Sequence, residues 1–144
     1  MVGNADTVKA ITDNIRSVLK STGIHFSPNI YEDDKNVPAS LIPYGRIFYL
    51  GEEFEYTHGQ RAGYAEAGFT IRVLLKERDH GSMLSAQQMW VHKIRESLTV
   101  GSVNTGALAG SRCVTRVTAR RVGVENGVYL SRLIYTIALR YREV

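Results

Sequence analysis

Residues 112–124 and 128–143 alternate in character on either side of Glu125-Asn126-Gly127. Asn-Gly between two strand-like runs favours a type I′ turn, because both central residues must accept positive φ. The sequence therefore predicts a long C-terminal β-hairpin, and this constrains the fold more than any other segment. In its second strand Leu133, Tyr135, Ile137, Leu139 and Tyr141 fall on one face, and Arg132, Thr136, Arg140 and Arg142 fall on the other with Ile134 and Ala138. Arg112, Arg116 and Arg120 recur at spacing four in the first strand, which keeps all three on one side of a pleated strand. The hairpin thus predicts a sheet with one apolar face and one basic face.

The charge of the chain is concentrated here. Its formal net charge is +4, yet from residue 112 onward there are seven arginines against Glu125 and Glu143, so the remainder is close to neutral. A basic sheet face of this kind can be solvated, can pair with acids of an adjacent subunit, or can meet DNA phosphates. At 144 residues the chain is expected to form a single domain, residues 1–144, with a core that needs neither disulfides nor metal. No apolar run approaches the ~20 residues that span a bilayer, and residues 1–6 lack the basic start and apolar stretch of a secretory signal. A cytoplasmic protein without a membrane partner is expected. Cys113, the single cysteine, reads as a small buried apolar residue.

Upstream, Val8, Ile11, Ile15, Val18 and Leu19 recur at three and four, predicting an amphipathic helix over 6–21, capped by Asn4 or Asp6 and stopped at Gly23. Residues 24–40 hold Pro28, Pro38 and Asp33-Asp34 and read as an irregular connection, with a short strand near 24–26. Residues 39–50 are strand-like but carry Pro43 and Gly45, which predicts a kink or an edge position. The polar run 51–64 reads as a projecting β-arm or a mobile loop. Phe69, Ile71, Val73 and Leu75 alternate with Thr70, Arg72, Leu74 and Lys76, which predicts a half-buried strand. A second helix runs to about Leu98, with Ser85 and Gln88 as a capping box or Ser82 as the cap. Leu84, Val91, Ile94 and Leu98 form its apolar side, and Trp90 joins the core. Residues 99–111, with Gly101, Gly106 and Gly110, read as a flexible loop. The expected fold is α+β: a two-layer domain with a mixed or antiparallel sheet, both helices on one face, the other face open, and the long hairpin at its end.

No motif for chemistry emerges. His25, His58, His80 and His92 show no metal-ligand spacing, there is no Walker loop or nucleophile elbow, and Glu52, Glu53 and Glu55 sit in a polar segment that leaves carboxylates near their ordinary pKa. No enzyme activity, cofactor or metal is expected. There is also no helix-turn-helix, zinc finger or aromatic RNA-binding strand, so any DNA contact would run through phosphates without sequence specificity.

The whole-chain order resembles the tail terminator proteins of tailed bacteriophages, within the wider group of head-to-tail joining and tail completion proteins. It comprises an N-terminal helix, a kinked strand entered through Val37-Pro38-Ala39, a long polar arm, a strand leading into a helix over 85–98, a Gly-rich loop and a closing hairpin. The resemblance covers nearly all 144 residues. It implies a virion protein, assembled in the host cytoplasm, that forms a ring, usually hexameric, on the last ring of the tail tube, stops tube growth and offers a docking surface for the head. The implied partners are copies of itself, the tail tube protein, neck or head-to-tail connector proteins, a tail sheath protein, and genomic DNA in passage. No catalytic residues come with this family. Arg112, Arg116, Arg120, Arg132 and Arg140 become candidates for a subunit interface or a channel lining. The candidates for tube or neck contact are Glu52, Glu53, Glu55, His58 and Arg61 of the arm and Asn104 of the loop. Pairing of the arginines with the arm glutamates between subunits is the favoured arrangement. The alternative is a small basic nucleic-acid-binding module.

Overall fold

The computed structural model describes residues 3–26, 37–103, 108, 113–125 and 128–144. Their order is α1 (Asn4–Thr22), β1 (Tyr44–Thr57), β2 (Gln60–Glu77), α2 (His80–Ser97), α3 (Val100–Val103), β3 (Val114–Glu125) and β4 (Val128–Arg142), with a 3-10 turn at Ala39–Leu41. The strands form one antiparallel sheet in the order β1-β2-β4-β3, so the two longest apolar strands lie at the centre and β1 and β3 form the edges. The fold is α+β, as the sequence predicts.

Alternation places the core. Phe69, Ile71 and Val73 of β2 and Leu133, Tyr135, Ile137 and Leu139 of β4 are all at most 1% exposed, and the helices lie over that face. From α1 come Ile11, Ile15 and Leu19, each fully buried and each stabilising the fold by about 1.5–3 kcal/mol. The helix ends at Gly23 in the left-handed conformation (φ +107°), whose N–H closes on Lys20 O at 3.1 Å. At its start neither Asn4 nor Asp6 is the cap residue. Gly3 holds that position, and Asp6 reaches back to accept its N–H at 3.4 Å.

α2 begins three residues earlier than a cap at Ser82 would allow. Asp79 is the cap, and its Oδ1 accepts the Ser82 N–H at 2.7 Å, which holds the carboxyl below its usual range; Ser82 and Ser85 lie inside the helix. The buried side of α2 runs through Met83 and Ile94 with Trp90 partly buried, whereas Leu84 is 48% exposed. Leu84 shares a stripe with Val91 and Leu98 by sevenfold spacing, but near the helix start the neighbouring row, Met83 and Gln87, meets the sheet. Gln87 donates to Ser131 Oγ at 2.7 Å, and Ser131 in turn donates to Arg120 O at 3.1 Å, tying helix to hairpin. The Tyr135 hydroxyl, raised far above its usual pKa by burial, donates to Trp90 O at 2.9 Å. The glycine-rich segment contains a helical turn, α3, that sequence patterning missed; Val103 is buried and its carbonyl accepts from Asn14 Nδ2 at 3.2 Å. Cys113 is buried, and burial pushes its thiol up to about 12, the behaviour of a packing residue.

The kinked entry to β1 has a specific cause. His25 bridges Tyr44 in parallel, with His25 N–H on Pro43 O at 2.8 Å and Gly45 N–H on His25 O at 2.9 Å. The 24–26 strand is therefore a single bridge, and it crowds β1. A Cβ on residue 45 would stand 2.7 Å from Ile24 Cγ2 and 2.8 Å from Phe26 Cζ, so Gly45 permits the approach rather than breaking the strand. The Ile42–Pro43 peptide is cis.

Candidate assembly surface

The face of the sheet opposite the helices is not wholly open, in contrast to the expectation from sequence. At one end Val37, Tyr44 and Leu74 form a second small core, flanked by Leu41, Ile42 and Val122, because the chain crosses that face before entering β1. Beyond this patch the face is lined by charged residues whose rows follow from the register. Tyr44, Leu74, Arg132 and Arg120 share one row across the four strands; Arg46, Arg72, Ile134 and Thr118 share the next; Phe48, Thr70, Thr136 and Arg116 share the third. Two cross-strand arginine pairs result, Arg46 opposite Arg72 and Arg120 opposite Arg132. Like charges set directly opposite destabilise a sheet, so this face holds charge at a cost to the isolated chain.

Aromatic rings offset part of that cost. Arg72 lies 4.7 Å from the Phe48 ring centroid and Arg46 5.7 Å from that of Tyr44. Arg72 Nε is buried and has no hydrogen-bond partner among the described residues. Arg116 and Arg120 are exposed, and no ion pair reaches them among the described residues. Arg46 and Arg72 belong to this face, yet no segment-by-segment reading joins them to the hairpin arginines; the strand order does. Arg112 and Asn104 lie outside the described residues.

The polar run 51–64 is the arm of a β1–β2 hairpin, the first of the two alternatives that the sequence allowed. Its turn is His58-Gly59, with φ +52° and +79°, the positive pair that a tight hairpin turn requires. β4 pairs with β2 only as far as Tyr64, so the arm tip extends past the end of the central strands. The arm carries acids on the arginine face. Glu53 stands opposite Glu66, which stands opposite Arg140, and the bare row Gly51–Gly68–Ala138 lies beside them. Leu50, Gly51, Glu52, Glu53, Glu66 and Gly68 line a shallow notch of ≈ 350 Å³.

Two of the three arm glutamates already have partners within the chain. Glu55 accepts from Arg140 Nε at 2.6 Å, an interaction that raises the arginine's pKa, and Arg140 also stacks 3.9 Å from the Tyr64 ring centroid. Glu52 lies on the helix side of the sheet, where it accepts from the Tyr49 and Tyr141 hydroxyls; burial first, and this carboxylate second, push the Tyr141 hydroxyl far up. Arg61 stacks 4.4 Å from the Phe54 centroid and pairs with Glu143. Glu53 and Glu66 are exposed, as is His58 at the tip. The result is a polarised face, with exposed acids toward the arm and exposed arginines on the far edge.

The β1 edge is also apolar. Of eight large hydrophobic side chains exposed among the described residues, five lie on it: Phe48, Tyr49, Leu50, Phe54 and Tyr56. Beyond the His25 bridge at Tyr44, this edge is uncovered by the described residues, and an edge so furnished is a template for pairing with another chain. Among the described residues no helix is long and apolar enough to cross a membrane, and no three His, Cys, Asp or Glu side chains converge as a metal site would require.

No protein-family model matches this chain, and no curated protein does. Among solved structures the chain is similar to one described as "Virion of native gene transfer agent (GTA) particle", at 16% identity and a TM-score of 0.46, over 93% of this chain and 92% of that one. That likeness is too distant to assign a role.

Proposed function

We propose that this chain is a structural protein of a phage-like virion, a tail-terminator-type subunit. It forms a hexameric ring on the tail tube, ends tube growth and presents a docking surface to the neck. The observation that carries the reading is the pair of unlike exposed sheet edges, β1 apolar and acidic toward its arm, β3 basic. A subunit that closes a ring head-to-tail needs two different and complementary surfaces, which a symmetric dimer does not. The whole-chain element order that resembles tail terminators supports the same reading. The reading assigns no catalysis to the chain. Its partners are copies of itself, the tube, neck and sheath proteins, and DNA in passage, and it places the chain in the virion after assembly in the host cytoplasm. Negative-stain imaging of the concentrated chain tests it: rings with a central hole are expected, and open filaments or particles without a hole count against it.

The opposed pairs Arg46–Arg72 and Arg120–Arg132 favour a second reading, a polyanion-binding module acting through phosphates. It requires a DNA mobility shift from the monomer that weakens steeply with salt, and a monomer that leaves DNA unshifted at low salt removes it.

A further inference from the structure

Building on the ring reading, we propose that the β1 edge of one copy pairs antiparallel with the β3 edge of the next, joining the two sheets through Glu53 and Arg116. Three observations lead there. The strands of the sheet alternate in direction from edge to edge, so β1 and β3 run oppositely. A second copy set beside the first in the same orientation therefore meets it antiparallel, without inversion. The exposed apolar residues concentrate on β1, so this edge gains most from being covered. The charges are complementary and share a face: Glu53 stands on β1 with Glu66 opposite it on β2, and Arg116 and Arg120 point from β3.

The same rows specify a stagger. Without sliding, Arg116 of the neighbour lies level with Phe48. A shift of four ladder rows, about 14 Å along the strand, brings it beside Glu53 on the same face, because Leu50 in the bulge adds a residue to β1 without adding a row. Closing a sheet into a barrel demands a stagger of this kind, because tilted strands must gain register around the circumference. Arg120 then lies level with Phe48, one row before the β-bulge at Tyr49/Gly51. Glu55 and Arg140, already joined within the chain, are spectators of this contact.

Charge exchange tests the pairing by light scattering. Glu53→Arg and Arg116→Glu both fall at exposed positions, and each alone should raise the concentration for half-assembly by about tenfold or more. An equimolar mixture of the two should recover the wild-type mass, because an alternating ring restores an opposite-charge pair at every interface. Recovery also shows that both variants are folded. Single variants that assemble like the wild type, or a mixture that stays apart, would overturn the edge pairing while leaving the ring intact. A wild-type chain that never assembles would overturn the ring reading itself, and this pairing with it.

Discussion

Arg120→Glu should make the isolated chain more stable while weakening its assembly, because it takes positive charge from the basic β3 edge. Arg120 faces Arg132 directly across β3 and β4. With the two charges about 6 Å apart in a watery dielectric, their repulsion is about 0.7 kcal/mol, and a glutamate at 120 reverses its sign. The swing is then about 1.4 kcal/mol at low salt, and screening over a Debye length of about 8 Å halves it at physiological ionic strength. For a domain of this size each kcal/mol moves Tm by roughly 4 °C, so the expected rise is about 5 °C in low salt and about 3 °C in ~0.15 M salt. Scanning calorimetry of the monomeric variant at both salt concentrations, beside light scattering of its assembly, reads the two effects separately. Most single substitutions destabilise, so a rise in Tm that shrinks with salt is a specific signature. A fall in Tm, or a rise that salt leaves unchanged, would refute the opposed-arginine account.

Three further outcomes are expected. Gly45→Ala should destabilise the fold by about 1–3 kcal/mol in urea titrations, because the added methyl meets Ile24 and Phe26 at under 3 Å; a neutral effect would show that residues 24–26 give way freely. Tyr135→Phe should cost about 1 kcal/mol, the value of one buried hydrogen bond to Trp90 O with the ring retained, and a loss above about 3 kcal/mol would mean that the ring itself had moved. Asp79→Ala should lower thermal stability at neutral pH and matter less in acid. The folded state lowers this carboxyl's pKa below the ordinary 3.8, so its contribution is complete above that value and is lost as pH falls through the folded-state pKa; thermal scans in which the deficit persists at pH 2 would contradict the capping role.

Much of the fold is legible in the sequence because its periodicities are strong. The alternation of Phe69, Ile71, Val73 and Leu75 and of Leu133 through Tyr141 marks the two central strands, and the stripe Ile11, Ile15, Leu19 marks α1. Where legibility fails, a tertiary contact decides. Asp79 caps α2 because the chain leaves β2 in a tight turn that aims its carboxyl at Ser82, and Leu84 loses to Met83 because the rotation of the helix is set by the sheet beneath it. Gly45 is placed for a contact with residues twenty positions earlier, which no local window contains. The candidate surface is legible only in halves. The hairpin arginines announce a basic face, but Arg46 and Arg72 join it through a strand order that alternation does not encode, and Glu52 leaves it because the bulge at Tyr49/Gly51 shifts the arm's facing. Nor does the sequence show that Glu55 has a partner in Arg140, eighty-five residues away.

The central claim is that the two edges bring copies of this chain together into a closed ring. Mass in solution, measured by light scattering coupled to size exclusion at low and at physiological salt, tests it most directly. The account predicts a discrete multiple of the 16.1 kDa subunit, six being the expected number, with no larger species as concentration rises. A chain that stays monomeric at every concentration, and whose monomer shifts DNA in a salt-sensitive way, would contradict it.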